Sequence, residues 1–331
     1  MRGWLITLAV LALIVVGFIF VKGPQPVIEV APEHVFDVGP LAVTNTMFTS
    51  WVVIVMILVT AFIVGRKASV VPSGFSGAAE ALISGFYGIV VSIAGETNGR
   101  RFFPLVATIF FYIVISNYFG LLPINNVVGV PEAGHEGKQP VMQQTSIAGI
   151  DLAYIPFNPE EVNLRRGDHE VAPVEDGGSF PGVIAPLFRS AMTDVNAPLA
   201  IAIFSFMFVE FWGFQALGFG YLKKFFNFSR LLRGNPMGLV DVFVGLLELI
   251  SEFIRMVSFT FRLFGNIFAG EVLLLMMVFL VPFVLVNIFY GLELLVGLIQ
   301  AFVFAMLTLV FAQMAVSHHG DDQEQHGEAQ G

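Results

Sequence analysis

The sequence predicts an all-α, polytopic membrane protein of about five to six transmembrane helices, ending in a long helical hairpin. Three observations carry this. Hydrophobic residues make up 56% of the 331 and charged residues only 12%, whereas a soluble domain is about a quarter charged. Mean hydropathy is +0.82. Apolar runs of the length needed to cross roughly 30 Å of hydrocarbon recur along the chain. With no Cys present, disulfides, a thiolate nucleophile and Cys-based metal sites are excluded. The net charge of −9 excludes nucleic acid as a partner, because neutralising phosphates needs an excess of Lys and Arg.

The first apolar run is Trp4 to Val21, behind Arg2. Lys22-Gly-Pro-Gln-Pro follows it without a small-x-small cleavage pattern, so residues 1–22 read as a retained, signal-like anchor helix. Further spans are Phe48 to Val64, Phe102 to Leu122 and Pro198 to Gly220, then two longer stretches, about Leu239 to Leu280 and Phe283 to Val316. Arg66, Lys67, Arg100 and Arg101 place residues 65–101 in the cytoplasm, and Lys223, Lys224, Arg230 and Arg233 do the same for 221–236. Residues 23–47 hold Glu29, Glu33 and Asp37 without Lys or Arg and fall outside, as does the acid-rich insert 124–197. Within 48–123, residues 73–94 contain Glu80 among several Gly and Ala and are expected to form a helix lying on the inner interface. The insert 124–197 is rich in Gly, Pro and acids and shows no convincing strand or helix pattern, so it is expected as an outer loop. Residues 198–317 form the core helices, and 318–331 a disordered cytoplasmic tail. The tail's His residues are poorly spaced for a metal, and no phosphate loop, cofactor motif or internal repeat is present.

Ionisable residues inside a span are costly and mark functional sites. Glu248, Ser251, Arg255, Ser258, Arg262 and Asn266 recur every three or four residues, a polar stripe on one helix face that can line a water-filled path. Glu271 lies nine residues beyond Arg262, roughly half a revolution away and about 13–14 Å along the axis, so the two can serve separate compartments. Glu293 and Gln300 are seven apart and share a face of the last helix. If that helix folds back antiparallel, pairing Arg262 with Gln300 and Glu271 with Glu293 puts the turn at residue 281 or 282, where Pro282 sits. Structural readings remain open: Glu248 or Glu252 could neutralise Arg255 or Arg262, Ser251 and Ser258 suit helix packing, and Glu210 suits either packing or the outer route. Asn117 reads as a helix-packing amide.

Ser258-Phe-Thr-Phe-Arg-Leu-Phe-Gly-Asn-Ile-Phe-Ala-Gly-Glu271 and Leu298-Ile-Gln-Ala-Phe-Val-Phe-Ala-Met-Leu-Thr308 together resemble the signature of the F-type ATP synthase subunit a family. Asn117-Tyr-Phe-Gly-Leu-Leu-Pro123 and Thr193-Asp-Val-Asn196 are similar to weaker family stretches in the same order. The resemblance implies a stator subunit of the F0 sector, not catalytic alone, that passes protons or sodium ions to a c-subunit ring. It implies peripheral-stalk b subunits and other ATP synthase subunits as further partners, the bilayer of a prokaryotic plasma (inner) membrane, and a cytoplasmic C-terminus. By the same resemblance Arg262 is the essential arginine with Gln300 beside it. Glu271 and Glu293 line the outer half-channel with Asn266 between, and Glu248 and Ser258 fall in the cytoplasmic half-channel. The last two helices are then expected to tilt along the ring. The chain departs from the family in having acids at both outer positions, and two close carboxylates are expected to share a proton. The competing function is a secondary transporter with a midplane site, which inverted repeats or paired broken helices would favour.

Overall fold

The structure, a computed structural model, describes residues 28–66, 74–122, 127–133, 137–147, 150–156, 160–164, 178–218, 237–281 and 285–317, together with 4, 12, 13, 15, 125, 220, 221 and 225. The anchor expected over 1–22, the basic loop Lys223 to Arg233, the turn at Pro282 and the tail 318–331 lie essentially outside them.

Five helices among the described residues are long and apolar enough to cross a membrane, as expected. They are α1 (Asn45–Arg66), α2 (Gly74–Gly120), α3 (Asn196–Leu217), α4 (Gly238–Leu280) and α5 (Leu285–Ser317). Their apolar side chains stay largely uncovered, for example Val55, Leu58 and Phe62 on α1 and Phe243, Ile254 and Phe261 on α4, a surface that hydrocarbon rather than water can solvate. The 43 residues of α4 have a contour near 65 Å, about twice the hydrocarbon thickness, so a membrane accepts this helix only tilted or with its ends protruding.

The chain divides into two compact units. Unit 1 holds residues 1–57, 113–194 and 264–298; unit 2 holds 58–112, 195–263 and 299–331.

Unit 1 carries two sheets the sequence did not announce. The strands β1 (His34–Val38) and β2 (Leu41–Thr44) form a hairpin turning at Gly39, whose φ of 63° suits glycine. The insert expected as a loop contains β3 (Val128–Ala133), β4 (Gly137–Ile147), β5 (Ile150–Tyr154), β6 (Glu161–Leu164) and β7 (Ser179–Pro186). All pair antiparallel, in the order β5-β3-β7-β4-β6, and β5 pairs with β4 as well, so β5, β3, β7 and β4 close on one another around Met142, Ala153 and Phe180. Gly129 and Gly182 permit this closure, since a Cβ at either would lie within 2.6 Å of a backbone oxygen of the neighbouring strand.

In unit 2, α2 is broken at Gly95 (φ 74°, ψ 168°). The arm from Gly74, expected as an interfacial helix, is helical and packs along the arm that follows. Phe86 stacks on Phe110 with centroids 4.5 Å apart, and a Cβ at Gly99 would sit 3.1 Å from the Val91 backbone. The hydroxyls of Ser205 and Thr308, 2.8 Å apart, join α3 to α5.

The expected antiparallel pairing of α4 and α5 is present within each unit. In unit 1 Gly270 faces Glu293, and in unit 2 the Phe259 and Phe304 rings lie 5.1 Å apart. Both pairs centre on the expected turn.

Candidate functional site

Glu271 and Glu293 line one cavity in unit 1, with Asn117, Asn125, Ser190, Thr193, Ile267, Tyr290 and Gly297. Its volume is about 40 Å³. Glycines bring its walls together. A Cβ at Gly270 would fall 2.0–2.2 Å from the Glu293 carboxylate, and one at Gly120 would fall 2.6 Å from Ser190 Cβ. Ser190 caps the short 3-10 turn Ala191–Thr193 by accepting from the Met192 amide, and its hydroxyl donates to Asn117 Oδ1 at 3.2 Å. Asn117 Nδ2 in turn donates to the Gly297 carbonyl at 3.4 Å. The amide expected to pack helices does so, and it also lines the cavity.

Glu271 carries an ion pair of its own. Arg189, 5% exposed, donates from Nε to both Glu271 oxygens at 3.0 and 3.1 Å and from Nη2 to Oε2 at 3.0 Å. The same guanidinium donates to the carbonyls of Ala31 and Glu29, and the Arg189 amide donates to Thr49 Oγ1. A planar fork with five N–H groups can meet both oxygens of a carboxylate and two carbonyls at once, more acceptors than an ammonium has N–H groups. Beside the expected carboxylate neighbour, Glu271 thus has a cationic partner that the sequence did not point to.

A second carboxylate group stands beside Arg189, where ligand atoms of Glu29, Glu33 and Glu132 lie within 4.8 Å of one another. Asn45, whose Oδ1 accepts from the Thr46 amide at the start of α1, holds this group in place, donating to Glu33 Oε2 at 2.6 Å and to the Pro186 carbonyl at 3.1 Å. Burial pushes the Glu33 carboxyl up from its ordinary 4.5 to about 7; Arg189 opposes the shift, while Glu132, Glu29 and Glu271 add to it. The folded chain thus holds this proton more tightly than the unfolded one. The contribution to stability is fully present below about pH 4.5 and is lost as pH rises through about 7. Glu33→Gln, which cannot ionise, is expected to flatten the fall in melting temperature of the purified protein between about pH 5 and 8. An unchanged slope would show that another group sets it.

In unit 2, α4 turns Arg262 outward. It is exposed, its guanidinium lies 5.7 Å from the Phe259 ring, and no carboxylate pairs with it among the described residues. Arg255 differs: it donates to Glu252 at 2.8 Å and lies 4.0 Å over the Phe311 ring. Of the two readings left open, the structural one holds for Arg255 and Glu252. Ser251 and Ser258 are exposed with Arg262, Glu248 is half-buried, and Gln300 is 6% exposed. Asn266, in unit 1, is exposed. Glu210 accepts from the Tyr221 hydroxyl at 3.1 Å, which supports a packing role. Gly213 makes room for that ring, since a Cβ there would lie 2.7 Å from it.

Arg189 is the residue that sequence reasoning missed. The available signal was a lone basic residue in an apolar stretch, four positions before Thr193-Asp-Val-Asn196. Its partner is 82 residues away, beyond the reach of any local pattern.

The profile of the family described as ATP synthase A chain matches residues 47–313. The chain is 30% identical over 307 residues to the ATP synthase subunit a of Gloeobacter violaceus, covering 90% of this chain and 96% of that relative. It is 26% identical over 292 residues to the subunit of the same name from Moorella thermoacetica, covering 88% and 99%. With that of Helicobacter pylori the identity is 26% over 289 residues, covering 86% and 97%.

Proposed function

The chain belongs to the ATP synthase A chain family, and we propose that it is the ion-translocating stator subunit of the enzyme's membrane sector. It is a multi-pass membrane protein and a subunit of ATP synthase, so other subunits of that enzyme are its partners. The finer reading is that two half-channels carry protons to and from a ring of c subunits, with b subunits of the peripheral stalk alongside, in a prokaryotic plasma membrane with the C-terminus in the cytoplasm.

The observation that carries this reading is Arg262, an exposed cation on the polar stripe of an otherwise apolar helix, with no carboxylate partner among the described residues. A buried or lipid-facing charge without a partner is costly, so its counter-charge is sought on another chain. A carboxyl group on a rotating ring suits it. Facing lipid, that group must be protonated. Beside Arg262 the ionised form is favoured, and the proton leaves towards one half-channel. As the ring turns, a new proton arrives from the other. Each charge crossing contributes about 2.3 kcal/mol per 100 mV, so several must combine to drive one ATP. The guanidinium keeps its charge throughout and blocks direct leakage between the channels.

The unit 1 cavity supplies the outer half-channel through Glu271 and Glu293, with Asn266 beyond it; Glu248 and Ser258 serve the cytoplasmic one, with Gln300 beside Arg262. Proton flux through the reconstituted complex tests this. The double substitution Glu271→Gln with Glu293→Gln is expected to block flux, while each single change only slows it. Full flux in the double variant would remove the outer half-channel.

A further inference from the structure

Two arginines stand on the polar stripe of α4, and the fold treats them differently. Arg255 and Arg262 are seven residues apart, so they share a face at a separation of about 10–11 Å along the axis. Arg262 is exposed, with the Phe259 ring 5.7 Å away and no carboxylate partner among the described residues. Arg255 is laid back against α5 and neutralised. Its guanidinium lies 4.0 Å over the Phe311 ring, and Nη1 donates to Glu252 Oε2 at 2.8 Å. Phe311 is held in turn by Phe259, 5.8 Å away, which also packs on Phe304. Glu252 is 3% exposed, whereas Ser251 and Ser258 on either side of the pair are exposed.

Stability does not account for this arrangement, because a buried ion pair gives little beyond what apolar residues of the same volume would give. Its effect on charge does. Without Glu252, Arg255 would stand as a second bare cation about three helical steps from Ser258 and two turns from Arg262. A proton moving along the stripe would meet that cation at a range where Coulomb repulsion is still strong inside a membrane protein. Paired with Glu252, the same guanidinium keeps the stripe polar and adds no net charge. We propose that Glu252 is a positioning residue for ion passage: it cancels Arg255, so that α4 presents Arg262 as its one unmatched cation among the described residues.

The role rests on the proposed function, which supplies the proton and the route. It requires that Glu252 neither takes up nor releases a proton, which separates it from an acid that relays one. Two other acids stand on this side of unit 2. Glu248 lies one further turn along α4, and Glu210 accepts from the Tyr221 hydroxyl at 3.1 Å. The contact with Arg255 is made by Glu252, and Coulomb attraction at 2.8 Å outweighs that of a charge a turn away. Arg255 is seated twice over, by the carboxylate and by the Phe311 ring, so its charge is cancelled in a fixed place.

Potential-driven proton flux through the reconstituted complex, measured per assembled complex, tests the proposal. Glu252→Gln keeps the size, removes the charge and leaves Arg255 bare, and is expected to lower flux about tenfold. Arg255→Gln leaves Glu252 bare instead and is expected to lower flux as well. The double variant Glu252→Gln with Arg255→Gln is neutral again and is expected to recover most of the parental flux. A pair that only held α4 to α5 would change the amount of complex and its melting temperature, not the flux of each complex. Parental flux in Glu252→Gln overturns the proposal. A double variant as slow as Glu252→Gln also overturns it, since Glu252 would then be a relaying acid. If Glu252→Gln fails to assemble, Arg255→Gln compared with the double variant decides, and parental flux in Arg255→Gln overturns the proposal. Failure of the wider reading has its own signature. Coupled synthesis in Arg262→Ala removes the stator role, whereas unchanged flux in Glu252→Gln removes the charge cancellation alone.

Discussion

Arg262→Ala is expected to abolish proton-coupled ATP synthesis while leaving the chain assembled in its complex. Assembly should survive because Arg262 is exposed and breaks no ion pair among the described residues when removed. The loss should be large because the rotor carboxylate would then have to ionise beside lipid without a counter-charge. Even about 3 kcal/mol on that step slows it more than a hundredfold. Synthesis driven by an imposed potential in vesicles, alongside the amount of this chain in the purified complex, reads both halves of the prediction. Coupled synthesis at a parental rate would sink the stator reading outright.

The second large effect concerns Arg189 and Glu271. Removing one member of a buried ion pair leaves an uncompensated charge and typically costs about 3–5 kcal/mol. Arg189→Gln and Glu271→Gln are each expected to lower the thermal stability and yield of the complex, Arg189→Gln the more, since it also releases the Ala31 and Glu29 carbonyls. The double variant Arg189→Gln with Glu271→Gln removes both charges and is expected to recover much of the loss. The coupling between the two substitutions measures the pair. Additive losses would mean that the two side chains do not act together. Glu293→Gln, which breaks no ion pair, should leave stability near parental and affect flux instead.

How far these sites could be read in advance differs from residue to residue. Arg262, Glu271, Glu293 and Gln300 stood out because a polar residue within an apolar run violates the local pattern, and helical spacing then relates each to its neighbours. The insert was illegible for the opposite reason. Its strands bury polar side chains, Gln139 and Gln144 on β4 among them, while β3 and β7 are interrupted by Pro131, Pro181 and Gly182. A period of two in hydrophobicity was therefore absent even though the strands pair in regular register. Arg189 and Asn125 were passed over because both fall in the insert 124–197, where no helical period relates a residue to its partner. Each looks like an ordinary polar residue near a span end until its partners are known.

By itself the sequence determined the five spans from Phe48 onward, the antiparallel pairing of the last two helices, the polar stripe on α4 and the family. All of these follow from hydrophobic length, helical period and local motifs. Tertiary structure alone decided that Arg189 clamps Glu271, that Arg255 rather than Arg262 pairs with Glu252, and that Asn125 and Glu293 line one cavity. Charge and hydrogen-bond partnership depends on distances of about 3 Å between residues far apart in the chain. Composition and period carry no record of such distances.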